Sequence, residues 1–370
     1  MTRFYKWYRE LIVPTAIVSA TIMGAGMFSL PYVFNKSGLI TGVFYLIIFG
    51  LVLAVTHFLY SEVIRATPGD HRLLGYAKTY FGWSGWIISA LTTGLGLILI
   101  STIFLALSSS FIKLIFPGLT SFQATLLFWF VVSVPLFLKI KKIAILESVV
   151  VSSVVFIALG IFIFGFFNFH SSRINLFSPA LLLLPYGAVL FSMYGRSAIS
   201  SVINYAKENN IGRAGIKRAI TIGTFVPAVV YSLFVIGALN LSKTVSPDMV
   251  SGLVYLPNFV IAIIGCLGIF SLWESSTSLS EENIGVFSRD IGLNEVLAKF
   301  VIIFAPLFLY VLGLSNFISL IGIVGGVFIT IEGILIVMMW QRAYKKYPLW
   351  SYGIIAIFIG GAIYEVIKLI

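Results

Sequence analysis

Eleven apolar segments, each near the ~20 residues that a helix needs to cross a bilayer, follow one another along the chain. Short polar connections separate them, and no polar stretch is long enough to fold as a soluble domain. The segments cover residues 12–33, 42–64, 86–111, 122–138, 143–167, 181–205, 220–239, 256–279, 297–312, 318–339 and 349–367. With 59% hydrophobic and 10% charged residues, the sequence predicts one all-α integral membrane domain over residues 1–370.

Basic residues are distributed unevenly between the connections on the two sides of these segments. If the N-terminus is cytoplasmic, the inner connections carry 17 Lys and Arg residues and the outer connections carry 5. Positive charge accumulates on the cytoplasmic side of membrane proteins. The distribution therefore predicts a multi-pass protein of the cytoplasmic membrane, with its N-terminus in the cytoplasm and its C-terminus outside. Because the basic residues are scattered, the net charge of +11 indicates topology and not nucleic-acid binding.

The first and sixth segments each contain residues that interrupt a helix. In the first, Gly24 and Gly26 weaken the helix, and Pro31 lacks a backbone donor. In the sixth, Gly195 stands beside Arg196 deep in an apolar run. Backbone groups freed within a membrane need partners in protein, ions or solute, so broken helices predict a site for something small and polar. The alternative for the glycine pair is close helix packing, since glycine is common in membrane helices.

The two interrupted segments lie five spans apart. Because five is odd, two five-helix units would have opposite orientations, as in transporters built from inverted repeats. The sequence thus predicts repeats over approximately residues 11–167 and 181–340, with helices 1 and 6 discontinuous. The eleventh segment, residues 349–367, would be an additional helix.

Two motifs resemble those of a known family. Gly24-Ala25-Gly26-Met27-Phe28-Ser29-Leu30-Pro31 resembles the first-helix motif of the amino acid/auxin permease group, particularly its bacterial tyrosine and tryptophan permeases. Phe191-Ser192-Met193-Tyr194-Gly195-Arg196-Ser197 is similar to their sixth helix, although Tyr194-Gly195-Arg196 stands where those permeases tend to have a His-Gly pair. The resemblance implies the leucine-transporter fold of the amino acid/polyamine/organocation superfamily and an amino acid as substrate.

Half-helix ends suit the two charged groups of an amino acid. The amino-terminal end of a half-helix presents unpaired N–H groups and a partial positive charge, which suit a carboxylate. We expect Gly24, Ala25 and Gly26 to face the α-carboxylate, and the carbonyl groups around Met23 and near Phe191 to Met193 to face the α-amino group. The predicted substrate-binding residues are Met23, Gly24, Ala25, Gly26, Phe28, Phe191, Ser192, Tyr194 and Arg196.

Among these residues, the aromatic side chains and the arginine have alternative roles. Phe28, Phe191 and Tyr194 would form walls for an apolar or aromatic side chain, or simply pack between helices. Arg196 would contact the substrate carboxylate, pair with a nearby acid, or belong to an inner gate. A charge in a spanning helix costs a few kcal/mol unless it is paired or hydrated, so we expect Arg196 to have a charged partner or contact with water.

The eighth segment carries a polar stripe that predicts ion coupling. Glu274, Thr277 and Ser278 lie within about one helical turn of one another. By resemblance, Thr277-Ser278 aligns with a Thr-Ser pair that helps bind Na⁺ in some leucine-transporter-fold proteins, with first-helix carbonyls such as that of Met23 completing the shell. The alternatives are proton coupling through Glu274 and hydroxyl groups that bond only to their own helix.

The sequence predicts a secondary transporter that moves an aromatic or bulky neutral amino acid by ion-coupled alternating access. We find no serine-centred elbow, phosphate-binding loop or metal-ligand spacing, so we predict neither an enzyme nor a cofactor beyond Na⁺ or H⁺ as coupling ion. The expected partners are a small amino acid and the lipid bilayer, and the sequence names no protein partner. A non-transporting amino acid receptor on the same fold is the main alternative, and a channel is a weaker one.

Overall fold

The computed structural model describes residues 3–138, 144–167, 174–242, 244–253 and 256–369. Within these ranges the chain is helical and contains no strand, which confirms the predicted all-α class. The helices are α1 (Arg3–Trp7), α2 (Val13–Ile22), α3 (Leu30–Ser37), α4 (Leu39–Ala66), α5 (Leu73–Ser89), α6 (Gly96–Ile115), α7 (Ser121–Leu138), α8 (Ala144–Phe167), α9 (Pro185–Ser192), α10 (Arg196–Glu208), α11 (Arg213–Leu241), α12 (Asn258–Gly285), α13 (Glu295–Val311), α14 (Phe317–Ile323), α15 (Thr330–Tyr344) and α16 (Leu349–Leu369).

Apart from residue 143, which lies outside the described residues, each of the eleven predicted segments lies mainly on one of these helices or on two consecutive ones. Six described helices, counted with their π-helical turns, are long and apolar enough to cross a membrane, and the bent pair Tyr5–Ile22 with Ala25–Ser37 makes a seventh. The helices of that pair meet at 47°. The count of eleven spans stays a prediction, as do the repeat boundaries.

The third span begins earlier than predicted. We expected it to start near residue 86, but a continuous helical stretch runs from Leu73 to Ile115 through a π-helical turn at Ala90–Leu95. It bends at Gly82, whose φ of 64° is readily adopted only by glycine. Residues 73–85 are less apolar than a spanning segment because a helix that packs on one side needs only one apolar face.

Prolines mark the starts of the helices next to the breaks. Pro31 lies in the first turn of α3, and Pro185 lies in the first turn of α9. A missing N–H costs nothing in the first turn of a helix, because that N–H has no intrahelical acceptor. The same residue that weakens a continuous spanning helix therefore fits well where a second half-helix begins.

Helix packing brings the two broken spans together at the centre of the molecule. α11 packs against α2, α4 and α8, and α12 packs against α6. α9 packs against the π-helical turn Val324–Ile329 that joins α14 to α15. The breaks between α2 and α3 and between α9 and α10 consequently face each other inside a helical shell.

Candidate functional site

The first break lies at Met23 and Gly24. Met23, at the end of α2, has a non-helical ψ of 69°, and Gly24 is extended, with φ −120° and ψ −155°. A 3₁₀ turn, Ala25–Ser29, then leads into α3. The first bond into this turn runs from Met27 N to Gly24 O (3.4 Å), so the amides of Ala25 and Gly26 precede it, as the first amides of a helix do.

The second break lies at Met193 to Gly195. α9 ends with bonds from Met193 N to Val189 O (2.9 Å) and from Tyr194 N to Phe191 O (3.2 Å). α10 starts from Gly195, whose φ of −133° and ψ of 12° are not helical. The first turn of α10 contains Ser197. Both discontinuities predicted from the sequence are therefore present.

The two breaks are in direct contact. A Cβ atom added to Gly26 would lie 2.5 Å from Ser192 Cα, and one added to Gly195 would lie 2.6 Å from Ile22 Cγ1. The hydroxyl group of Tyr231 in α11 lies 2.6 Å from Ile22 O and 3.2 Å from Ser192 O. Tyr231 thus caps the last carbonyl groups of both α2 and α9. Only glycine at position 26 allows this approach.

A cavity of about 50 Å³ lies beside the breaks. It is lined by Thr21, Ile22, Gly24, Ala25, Gly26, Ile100, Phe104, Phe191, Tyr194, Ser197, Glu274, Ser275, Ser278 and Leu279. The lining combines backbone at two half-helix starts, a group of aromatic and aliphatic side chains, and one polar helix face. This combination can bind a small molecule that is charged at one end and apolar at the other.

A second cavity of about 140 Å³ continues from the first and shares four of its residues: Thr21, Ser197, Glu274 and Ser278. It extends along α2, away from the break, and along α10, where it includes Ala20 and Ser201. Ser201 and the lining residue Glu281 are exposed. The pair of cavities therefore leads from the breaks toward the side of the molecule that carries the N-terminus.

The polar face of α12 only partly matches the predicted one. Glu274 is 6% exposed, lines both cavities, and accepts a hydrogen bond from Ser278 Oγ (3.0 Å). Ser275 faces the first break, 3.0 Å from where a Cβ atom of Gly24 would lie. Thr277 does not line either cavity, and its hydroxyl donates to Glu274 O (2.7 Å). At ~100° per residue, Thr277 is turned away from Ser278 by about a quarter turn.

Several predicted site residues lie outside the cavity lining. Phe28 is 4% exposed and packs edge-on against Phe111 (4.8 Å between ring centroids) and Phe234 (5.8 Å). All three residues belong to the hydrophobic core. Met23, Ser192, Arg196 and Thr277 are likewise absent from the lining, whereas Gly24, Ala25, Gly26, Phe191, Tyr194, Glu274 and Ser278 belong to it.

Arg196 is the centre of a buried ion-pair network. Its Nε lies 2.9 Å from Glu332 Oε2, and its Nη1 lies 3.0 Å from Glu282 Oε1. Arg196 also donates to the hydroxyl group of Tyr194, and Glu282 pairs with Arg72 (3.1 Å). Two arginines and two glutamates balance each other, so the network is neutral. Of the three roles considered for Arg196, the geometry supports the ion pair.

The network also reaches the cavity. Tyr194 forms part of the cavity wall, while its hydroxyl group is bound by Arg196 Nη2 (2.7 Å). Glu332 accepts from Thr93 Oγ1 (2.7 Å), which connects α15 to the third span. Charged side chains of α10, α12 and α15 therefore help to hold one cavity wall in position. The sequence could identify Arg196 as needing partners but not which acids they were.

The lining residues outside the predicted set are Thr21 and Ile22 of α2, Ile100 and Phe104 of α6, Ser197 of α10, and Ser275 and Leu279 of α12. Ile100 and Phe104 lie one turn apart on α6, and Ser197 opens α10. The only signal for the α6 pair is their i,i+4 spacing, which any packed apolar helix shares. In the described part of the chain, no group of three or more His, Cys, Asp or Glu side chains could hold a metal ion.

The sequence of the chain matches a known protein family. The sequence profile of the tryptophan/tyrosine permease family matches residues 8–359. No curated protein sequence matches the chain.

Solved structures show the fold. The structure is similar to that of MhsT in complex with L-phenylalanine (TM-score 0.67, 15% identity, covering 95% of this chain and 97% of MhsT). It is similar to a mutant manganese transporter of Eremococcus coleocola (TM-score 0.65, 15% identity, 99% and 95%). It also resembles Mhp1, a nucleobase-cation-symport-1 family transporter with bromovinylhydantoin bound (TM-score 0.61, 12% identity, 91% and 79%).

MhsT and Mhp1 are leucine-transporter-fold proteins, which confirms the predicted fold. A permease family and a transporter fold indicate a transporter and not an enzyme. The chain belongs to the tryptophan/tyrosine permease family, and it is a multi-pass amino acid secondary transporter of the leucine-transporter fold.

Proposed function

We propose that this protein carries an aromatic amino acid across the cytoplasmic membrane by cation-coupled alternating access. The observation that carries the proposal is the cavity between the two breaks, where Phe104, Phe191 and Tyr194 supply an aromatic wall. Membership of the tryptophan/tyrosine permease family and similarity to a transporter crystallised with L-phenylalanine support an aromatic substrate. The excess of basic residues in inner connections supports a cytoplasmic N-terminus and an external C-terminus.

The substrate's charged ends have distinct partners in this proposal. Its carboxylate is bound by the amides of Ala25 and Gly26 at the start of the 3₁₀ turn, where the partial positive charge of a helix start favours an anion. Its ammonium group faces Glu274 and the carbonyl groups at the end of α2. Those carbonyl groups are less available than predicted from sequence, because Ile22 O and Ser192 O already interact with Tyr231.

The coupling cation is placed on the face of α12 that carries Glu274 and Ser278. Oxygen atoms of a carboxylate and a hydroxyl group suit Na⁺, and a carboxylate alone suits H⁺. Ser278 is the better candidate of the predicted Thr-Ser pair, since it lines both cavities. Thr277 donates to its own helix and would have to rotate to reach an ion.

The test is uptake and counterflow of radiolabelled tyrosine and tryptophan by the purified protein in liposomes. We expect accumulation that requires an inward gradient of either Na⁺ or H⁺, and replacement of Na⁺ by choline at constant pH separates the two. Counterflow without a gradient distinguishes a transporter from a receptor, because binding alone accumulates nothing. Uptake of neither amino acid would contradict the aromatic substrate, and uptake unaffected by both gradients would contradict coupling.

A further inference from the structure

The last helix, α16, places a buried carboxylate against the outer half of the sixth span. Glu365 is 2% exposed, and its Oε1 accepts a hydrogen bond from Gly187 N (3.3 Å). Gly187 lies in the first turn of α9, whose amides have no acceptor within the helix. The other carboxylate oxygen, Oε2, lies 3.4 Å from Lys368 Nζ. None of these residues lines the central cavity.

Three glycines form a cradle around this carboxylate. A Cβ atom on Gly187 would lie 2.8 Å from Glu365 Oε1, and one on Gly322 would lie 3.4 Å from Oε2. A Cβ atom on Gly326 would overlap the Glu365 side chain itself. These glycines belong to α9, α14 and the following π-helical turn. The sixth and tenth spans therefore have no side chains at the position where α16 inserts the Glu365 carboxylate. An ordinary pair of Glu and Lys at a helix end needs neither this burial nor this space.

Lys368 is the one charged group among the electrostatic neighbours of Glu365 in the described structure. Its side chain is 40% exposed, so it links the carboxylate to the solution near the C-terminus. The remaining neighbours are the phenols Tyr45 of α4, Tyr186 of α9 and Tyr364 of α16. The hydroxyl group of Tyr186 is engaged by Thr330 Oγ1 and Phe358 O. At neutral pH phenols are uncharged, so the charge at this position changes when the Glu365 carboxylate binds or releases a proton.

We propose that Glu365 is a proton-binding site that controls the closure of the substrate cavity on its outer side. Glu365 accepts a hydrogen bond from the amide end of α9 and so docks α9 against the tenth span. Because the carboxylate is buried with a partly exposed lysine as its charged neighbour, burial opposes its ionised form, so a proton strengthens the docking and loss of the proton weakens it. α9 carries Phe191, a wall of the cavity, one turn beyond Gly187. The inference rests on the proposed function, since it assigns the outer opening of that same cavity to this carboxylate.

Equilibrium exchange of labelled substrate, with equal pH on both sides, tests this proposal without a driving gradient. In the wild-type protein we expect the exchange rate to fall as the pH falls, by about tenfold, a ratio equivalent to ~1.4 kcal/mol. Glu365→Gln should exchange at the acid rate at every pH. The control is Glu295→Gln on α13, where Glu295 pairs with Lys299 one turn along (2.8 Å), and it should keep the wild-type pH profile.

A second variant keeps the test valid if Glu365→Gln fails to fold. Lys368→Met removes an exposed positive charge that favours ionised Glu365, so the midpoint of the pH dependence should move to higher pH. Lys299→Met is its control and should leave the midpoint unchanged. A wild-type profile in Glu365→Gln, or an unmoved midpoint in Lys368→Met, would overturn the proposal. Absence of exchange in the wild-type protein would instead contradict the proposed function.

Discussion

Gly24 and Gly26 belong to the same short run, but a side chain would meet different surroundings at the two positions. At Gly24 an added Cβ atom would meet the end of a serine side chain, Ser275 Oγ at 3.0 Å, with no backbone atom closer. At Gly26 it would meet backbone, Ser192 Cα at 2.5 Å. Serine side chains can rotate, whereas the α9 backbone can only move as a helix. Gly24 therefore faces the cavity, and Gly26 also holds the two breaks together.

Alanine at these positions should separate the two roles. We expect Gly26→Ala to lower the free energy of unfolding by roughly 1–3 kcal/mol, the usual cost of overpacking, and to abolish counterflow. Gly24→Ala should stay close to the wild type in thermal stability and lose substrate affinity only. Thermal unfolding and tryptophan counterflow of both purified variants measure this. Equal stability of the two variants would show that the contact with Ser192 does not restrict position 26.

The residues of the site could be predicted where the backbone itself carries the signal. Gly24, Ala25 and Gly26 line the cavity, as predicted, because two glycines and a following proline show where the helix breaks. Side chains were harder to assign, since membrane helices are apolar on every side and give little periodic pattern. Ser275 lines the cavity but was not predicted, and Thr277 was predicted but does not line it. Which of these two hydroxyl groups faces the cavity depends on the rotation of α12 about its axis. That rotation depends on packing against α6 and not on local sequence.

At the scale of helices, the network around Arg196 joins parts of the molecule that are far apart in the sequence. Arg196 of α10, Glu282 of α12 and Glu332 of α15 are all at most 5% exposed. Removing one member of such a network leaves an unbalanced charge away from water. By contrast, Glu62 of α4 pairs with Arg65 and Arg213, whose side chains are 37% and 62% exposed.

These two clusters should therefore respond differently to loss of a carboxylate. We expect Glu332→Gln to destabilise the protein by ~3–5 kcal/mol, because buried Arg196 keeps a charge that only Glu282 balances. Glu62→Gln should cost less, since both of its arginines can be hydrated. Thermal unfolding in the same detergent compares them. A larger loss for Glu62→Gln would mean that solvent reaches Arg196 or that its network is not fully formed.

At the scale of the whole molecule, charge distribution and helix order together predict on which side of the membrane each end lies. The connection between α10 and α11 lies next to basic residues Lys207 and Arg213 and is expected inside. The C-terminus, after an odd number of predicted spans, is expected outside. Helix order could be predicted because each span is a separate apolar run. The extra length of the third span could not, because residues 73–85 resemble a surface helix.

Reporter fusions test this topology. Alkaline phosphatase is active only outside the cytoplasm, and green fluorescent protein of the usual kind fluoresces only inside it. We expect phosphatase activity and no fluorescence for fusions after residue 370, and the reverse for fusions to fragments ending at residue 210. Fluorescence at both positions would mean an even number of spans and would place Lys368 and Glu365 on the cytoplasmic side.

Tyr231 offers a practical route to observing the transport cycle. Because its one hydroxyl group contacts the last carbonyl groups of both α2 and α9, α11 is in direct contact with both breaks. Val229, two residues earlier on α11, is 59% exposed on the outside of the helical shell. A fluorophore attached there, in a chain whose sole cysteine is replaced, would report rearrangement of either half-helix through a single signal. One label on an unbroken helix could thus follow two hinges that are themselves too tightly packed to carry a dye.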